Sequence, residues 1–106
     1  MNSVKIISTN ETAVRKAVEN YAACLKARPE VMAVYLCGSR ARGTYSPYSD
    51  VDLLILIKND KRRPHDRVPD YLPDHFPLSL DLFVYTPEEL RSSTFAQKLL
   101  EHAIEL

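Results

Sequence analysis

No apolar run in this 106-residue chain approaches the roughly 18 residues that a membrane-spanning helix requires. That absence excludes a spanning segment, and the apolar and charged fractions are those of a soluble globular protein. The N-terminal stretch MNSVKIISTNE lacks the apolar core and small-residue cleavage site of a secretory leader, so the expected location is the cytoplasm. Cysteine is scarce. Cys24 and Cys37 have neither CxxC nor metal-ligand spacing and are expected to be buried small hydrophobes in reducing surroundings. An excess of charge of one sign is missing too, and a formal net charge of +0 argues against a general nucleic-acid binder held by phosphate neutralisation. Charge is uneven only locally: residues 58–67, KNDKRRPHDR, hold five Lys or Arg against two Asp, as either a solvated loop or a docking surface for an acidic partner.

The length fits one domain over residues 1–106, so any substrate-binding domain has to come from elsewhere. Neither repeats nor low-complexity segments are visible. Residues 11–28 place Val14, Ala17, Val18, Tyr21, Ala22 and Leu25 on one helical stripe, with Ser8 and Glu11 as a capping box and Pro29 as the stop. Residues 31–37, VMAVYLC, read as a strand covered on both sides, with Gly38 ending it and a short helix opening over residues 39–42. Residues 43–49 read as a turn-rich loop.

Further strands are expected at 51–57, VDLLILI, and at 79–85, SLDLFVY. The four prolines at 64, 69, 73 and 77 break any long element between them, leaving a loop of a length that suggests function or mobility, with one helical turn near Tyr71. Thr86-Pro87-Glu88-Glu89 is a capping-box helix start. Phe95, Leu99 and Ala103 continue a helical face, with a short strand over 101–106 as the alternative.

Two apolar strands each carry an acid near their start, Asp52 in one and Asp81 in the other. Asp50 and Asp52 stand two apart, so they share a face, with Cα atoms about 6 to 7 Å apart. Asp81 joins them if its strand lies in register beside the second. Three crowded carboxylates repel unless a cation offsets them, and an all-oxygen set favours Mg²⁺ or Mn²⁺ over Zn²⁺. Just upstream, Gly38-Ser39 sits at a strand-to-helix junction, where backbone N–H groups attract a phosphate and the Ser39 hydroxyl adds a hydrogen bond. A phosphate cradle beside a metal site is what phosphoryl or nucleotidyl transfer requires. Gly38 to Thr44 also mimics a P-loop, but Thr44 stands where the phosphate-binding lysine must be, which rules against a Walker-type NTPase.

Gly38-Ser39-Arg40-Ala41-Arg42-Gly43, then Ser49-Asp50-Val51-Asp52-Leu53-Leu54, then Asp81, resemble the G-S-x-x-x-G, D-x-D and distant D pattern of the DNA polymerase β-type nucleotidyltransferase superfamily. Within it the chain looks like the minimal nucleotidyltransferases (MNT), the family of MNT-type antitoxins, over about residues 13–105. The resemblance implies an α/β (α+β) nucleotidyltransferase fold, a small mixed β-sheet flanked by helices. It also implies catalytic and metal-binding roles for Asp50 and Asp52 on two Mg²⁺ ions and for Asp81 on the catalytic one.

Gly38 and Ser39 are then expected to contact ATP or another NTP, with Arg40 as an added phosphate contact. Ser49 is either a further nucleotide contact or a turn residue. The resemblance implies AMP transfer to a HEPN-type toxin partner within a hetero-oligomer. The alternatives are neutralisation of that partner by occlusion without catalysis, and nucleotidyl transfer to a small molecule. His65, His75 and His102 share no ligand spacing and are expected at the surface.

Overall fold

The computed structural model describes residues 2–106, with side chains described from Glu11 onward. Helix α1 spans Asn2–Lys26 and is followed by strand β1, Val31–Cys37. Val14, Val18, Ala22 and Leu25 of α1 are buried, the spacing of a single helical stripe. Ser8 lies inside this helix and does not cap its start as the capping pattern predicts, and its side chain falls outside the described residues. Cys24 is exposed, contrary to expectation. It sits one residue before Leu25, about 100° round the helix from the buried stripe.

The sheet also contains β2 (Val51–Ile57), β3 (Leu80–Tyr85) and β4 (Ile104–Glu105), in the order β3-β2-β1-β4. β1 is antiparallel to both β2 and β4, whereas β2 and β3 are parallel. Strands that follow one another in parallel need a crossover, so the topology itself demands the long segment over residues 58–79. That segment contains α3 (Pro64–Arg67) and a 3-10 turn at Val68–Asp70, two short helical pieces just before Tyr71.

The crossover is packed down. Tyr71 is buried in the main core, with Val68, Phe76 and Leu78 against it. The Tyr71 hydroxyl donates to Glu30 at 2.8 Å, its carbonyl accepts from the Tyr21 hydroxyl, and the Arg28 guanidinium lies 4.7 Å from its ring centroid. The basic run is also largely neutralised. Arg62 pairs with Asp60 and Asp70, Arg63 with Asp66, and Arg67 with Glu89.

Strand alternation divides the core in two. Val51, Leu53, Ile55 and Ile57 face α1 and the crossover, while Leu54 joins Cys37 and Ala96 in a second cluster on the opposite face. Full burial of Leu53, Leu54 and Ile55 stabilises the fold by on the order of 2 kcal/mol each. The second face is covered by α4 (Pro87–Ser92) and α5 (Thr94–Leu100). Thr86 caps α4 as expected: its side chain accepts from the Glu89 N–H while the Glu89 carboxylate accepts from the Thr86 N–H at 2.8 Å. Ser93 then interrupts the helical run and caps α5 by accepting from the Ala96 N–H at 3.1 Å. The result is a mixed four-stranded sheet flanked by helices. No helix among the described residues is long and apolar enough to cross a membrane.

Candidate active site

The parallel register sets Asp52 opposite Asp81, and the antiparallel register sets Asp52 opposite Cys37. The Val51 N–H donates to the Ser79 carbonyl at 2.9 Å, extending the ladder to the entrance of both strands. Asp52 and Asp81 therefore lie side by side on the face that also carries Leu54 and Phe83. Asp52 is half-buried, while Asp50 and Asp81 are exposed.

The pair has an electrostatic signature. Burial pushes the Asp52 carboxyl up to about 6, the charge of Asp81 and a hydrogen bond with it push the same way, and Asp50 adds to the rise against the opposing Arg42. Among the described residues, no three His, Cys, Asp or Glu side chains are gathered tightly enough to hold an ion as they stand. Asp52 and Asp81 are brought together by the strands themselves, and Asp50 stands two residues before Asp52. The donor set fits a hard divalent ion, because a cation would offset the burial and the Asp81 charge that together raise the Asp52 carboxyl.

Gly38 completes the site through its missing side chain. Its φ is +69°, a left-handed value, and a Cβ built there would lie 2.2 Å from Oδ2 of Asp52. Glycine is thus required both by the backbone turn and by the carboxylate packed against it. Helix α2, Gly38–Arg42, opens from that turn with Cys37 as N-cap and no side-chain cap, so its first N–H groups have no side-chain acceptor. The Ser39 carbonyl accepts from Gly43 and Thr44, while its hydroxyl has no protein partner among the described residues. Cys37 is no competing nucleophile. Burial raises its thiol to about 11, and the Asp52 charge adds to the rise.

Arg40 and Ser49 occupy structural positions. The Arg40 guanidinium is buried. It donates to both Glu11 oxygens at 3.0 and 3.2 Å, to the Ser49 carbonyl at 3.0 Å and to the Pro47 carbonyl at 3.3 Å, and lies 4.7 Å from the Tyr45 ring centroid. Burial alone would raise the Glu11 carboxyl, but hydrogen bonds from Tyr45 and Arg40 outweigh it and hold the group below its ordinary range. Arg40 thereby ties the loop before β2 to α1. The Ser49 hydroxyl accepts from the Ser46 N–H at 2.9 Å, which is the turn role.

Two cations line a groove beside Gly38: Arg42, which the glycine-serine motif contains, and Lys98, which no sequence motif marks. Arg42 acts on Asp52, and it lines an open groove of ≈ 300 Å³ together with Gly38, Phe95, Lys98, Leu99 and Glu101. The i, i+3, i+4 spacing of Phe95, Lys98 and Leu99 on α5 is the signal that placed them on one side. His65, His75 and His102 are all exposed, as expected.

The family model for the nucleotidyltransferase domain matches residues 18–106. The chain belongs to this family. Over 38 residues it is 50% identical to a Methanocaldococcus jannaschii protein provisionally named a protein adenylyltransferase. The shared stretch is 36% of this chain and 26% of that relative, so the chain spans about a quarter of its length. The fold is similar to the crystal structure of a Sulfolobus solfataricus protein provisionally described as a nucleotidyltransferase, with TM-score 0.67 and 21% identity over 93% of this chain and 84% of that one. A toxin–antitoxin crystal structure with AMP-PNP shares the fold at TM-score 0.51 and 23% identity, over 82% of this chain and 70% of that one.

Proposed function

We propose that this nucleotidyltransferase domain transfers AMP from ATP to a hydroxyl on a partner protein, using Asp50, Asp52 and Asp81 with Mg²⁺. The observation that carries the reading is the in-register placement of Asp52 beside Asp81, with Gly38 against the same carboxylate. Bound Mg²⁺ supplies charge neutralisation of the triphosphate and of the departing pyrophosphate. Gly38, Ser39 and the first N–H groups of α2 hold the phosphates. Asp50 and Asp52 would hold Mg²⁺ beside the α-phosphate, and Asp81, at the exposed edge of the pair, accepts the proton from the attacking hydroxyl. The acceptor oxygen bonds to the α-phosphorus as the bond to the bridging oxygen breaks, and pyrophosphate leaves.

The name of the Methanocaldococcus relative supports a protein acceptor, and the fold shared with a toxin–antitoxin structure supports a toxin as that partner; its HEPN type is implied only by the resemblance of the G-S, D-x-D and distant D motifs to the minimal nucleotidyltransferases. The test is incubation of the chain with α-labelled ATP, Mg²⁺ and the product of its neighbouring gene. Label is expected on the partner, with the rate reduced about a hundredfold or more by Asp52→Ala, the several kcal/mol that metal-assisted charge stabilisation supplies. Absence of transfer, or transfer unaffected by Asp52→Ala, overturns the proposal. Neutralisation by occlusion alone is the second reading, favoured by the same toxin–antitoxin likeness. It requires an Asp50→Ala, Asp52→Ala double variant to protect cells as well as the wild type does.

A further inference from the structure

A triphosphate carries more negative charge than the backbone of one short turn can meet, and the three acids beside it repel it until metal ions offset them. The groove next to those acids contains two cationic side chains from different elements, Arg42 from α2 and Lys98 from α5. Neither forms an ion pair among the described residues. This sets them apart from Arg40, Arg62, Arg63 and Arg67, all of which pair with carboxylates.

The anchoring of Lys98 is specific. Leu99 packs against the second core cluster, and the Phe95 ring lies tilted against that of Phe83 with centroids 5.4 Å apart, so both neighbours hold this stretch of α5 to the sheet. Lys98 emerges between them into the groove that Gly38 opens. Glu101, the residue that caps the C-terminus of α5, lines the same groove and places an acid in it. The simplest structural role for Lys98 is a favourable cation in the last turn of α5, where the helix dipole is negative. That role explains a cation there but not a groove shared with Arg42 and Gly38.

We propose that Lys98 and Arg42 clamp the β- and γ-phosphates of the nucleotide, so that α5 supplies a positioning residue for the pyrophosphate leaving group. This rests on the nucleotidyltransferase reading above and adds to it a residue outside the G-S and D-x-D motifs. Because Lys98 is exposed, its replacement leaves the fold intact.

The test is equilibrium binding of ATP, pyrophosphate and AMP, each with Mg²⁺, to the wild-type chain, Lys98→Ala and Lys98→Arg. Lys98→Ala is expected to weaken ATP and pyrophosphate about tenfold, the scale of one charge-assisted contact, while AMP changes by less than about twofold. Lys98→Arg is expected to recover most of the loss, because the charge is kept. Thermal unfolding is expected to be the same for all three. Unchanged ATP and pyrophosphate affinity in Lys98→Ala overturns the clamp while leaving the nucleotidyltransferase reading intact. Equal weakening of AMP and pyrophosphate also overturns it, since the residue then acts on the groove as a whole. If the wild type binds none of the three, the underlying reading falls as well.

Discussion

At one end of the β2–β3 pair, Asp52 and Asp81 face each other with no ion-paired cation among the described residues. At the other end, the Arg67 guanidinium is fully buried, donating to both Glu89 oxygens at 2.7 and 2.9 Å and to the carbonyls of Val84, Asp60 and Arg62. The same two strands thus carry charge in opposite states. Arg67 holds the crossover against the start of α4, and its partners lower its cost of burial. The acid pair retains an electrostatic cost, visible in the raised Asp52 carboxyl, that only a proton or a cation relieves. The paired Arg67 charge, whose Nε alone lacks a hydrogen bond, serves the fold, whereas the unpaired acids are available for binding.

The comparison breaks most severely at Arg67. Arg67→Ala leaves Glu89 with the Thr86 N–H but without its charge partner, and three carbonyls without the guanidinium, and is expected to cost about 3–5 kcal/mol in urea unfolding. A loss below about 1 kcal/mol would show that the guanidinium is solvated in solution. Next comes Gly38→Ala, which puts a Cβ on the Asp52 carboxylate and forces alanine to a positive φ. Nucleotide transfer measured by single-turnover kinetics is expected to fall about a hundredfold through misplacement of Asp52. Stability is expected to fall by only about 1–2 kcal/mol. Unchanged transfer would detach Gly38 from the chemistry.

The smallest effect sharpens the comparison through pH. In chelator-treated protein the folded state binds the Asp52 proton more tightly than the unfolded chain, with values of about 6 against 3.8, so its contribution to stability is present below 3.8 and is lost as pH rises through about 6. Solvent screening limits it to about 1 kcal/mol. The Arg67 guanidinium beside Glu89 holds that carboxyl below its usual range, so the Glu89 contribution is present above 4.5 and is lost as pH falls. Unfolding free energies for Asp52→Asn and Glu89→Gln, each subtracted from the wild type across mildly acidic pH, are expected to slope in opposite directions. Parallel slopes would mean that the two ends are electrostatically alike.

Much of this molecule was legible along the chain because its signals are local. Val31–Cys37 and Val51–Ile57 match the predicted strands residue for residue, and Thr86 caps α4 as its spacing with Glu89 predicts. What escaped reading depends on residues far apart. Arg40 is expected from sequence to contact a phosphate and Arg67 to belong to a solvated loop or docking surface, yet each is buried by partners on other elements, Glu11 for one and Glu89 for the other. Cys24 looked buried because it sits in an apolar helix, but the stripe through Leu25 turned it outward. The proline-rich segment suggested a mobile or functional loop. Its length instead follows from the parallel pairing of β2 with β3, which no local pattern announces.

The sequence by itself determined the apolar strands, the glycine-serine turn between β1 and α2, and the family to which three spaced acids belong, since each is written in neighbouring residues. Only the tertiary structure decided that Asp81 stands beside Asp52 and that Arg42 and Lys98 share a groove with Gly38. The reason is the two-residue period of a strand. A slip of one residue between β2 and β3 would leave every local pattern unchanged, yet it would turn Asp81 to the opposite face and dismantle the site.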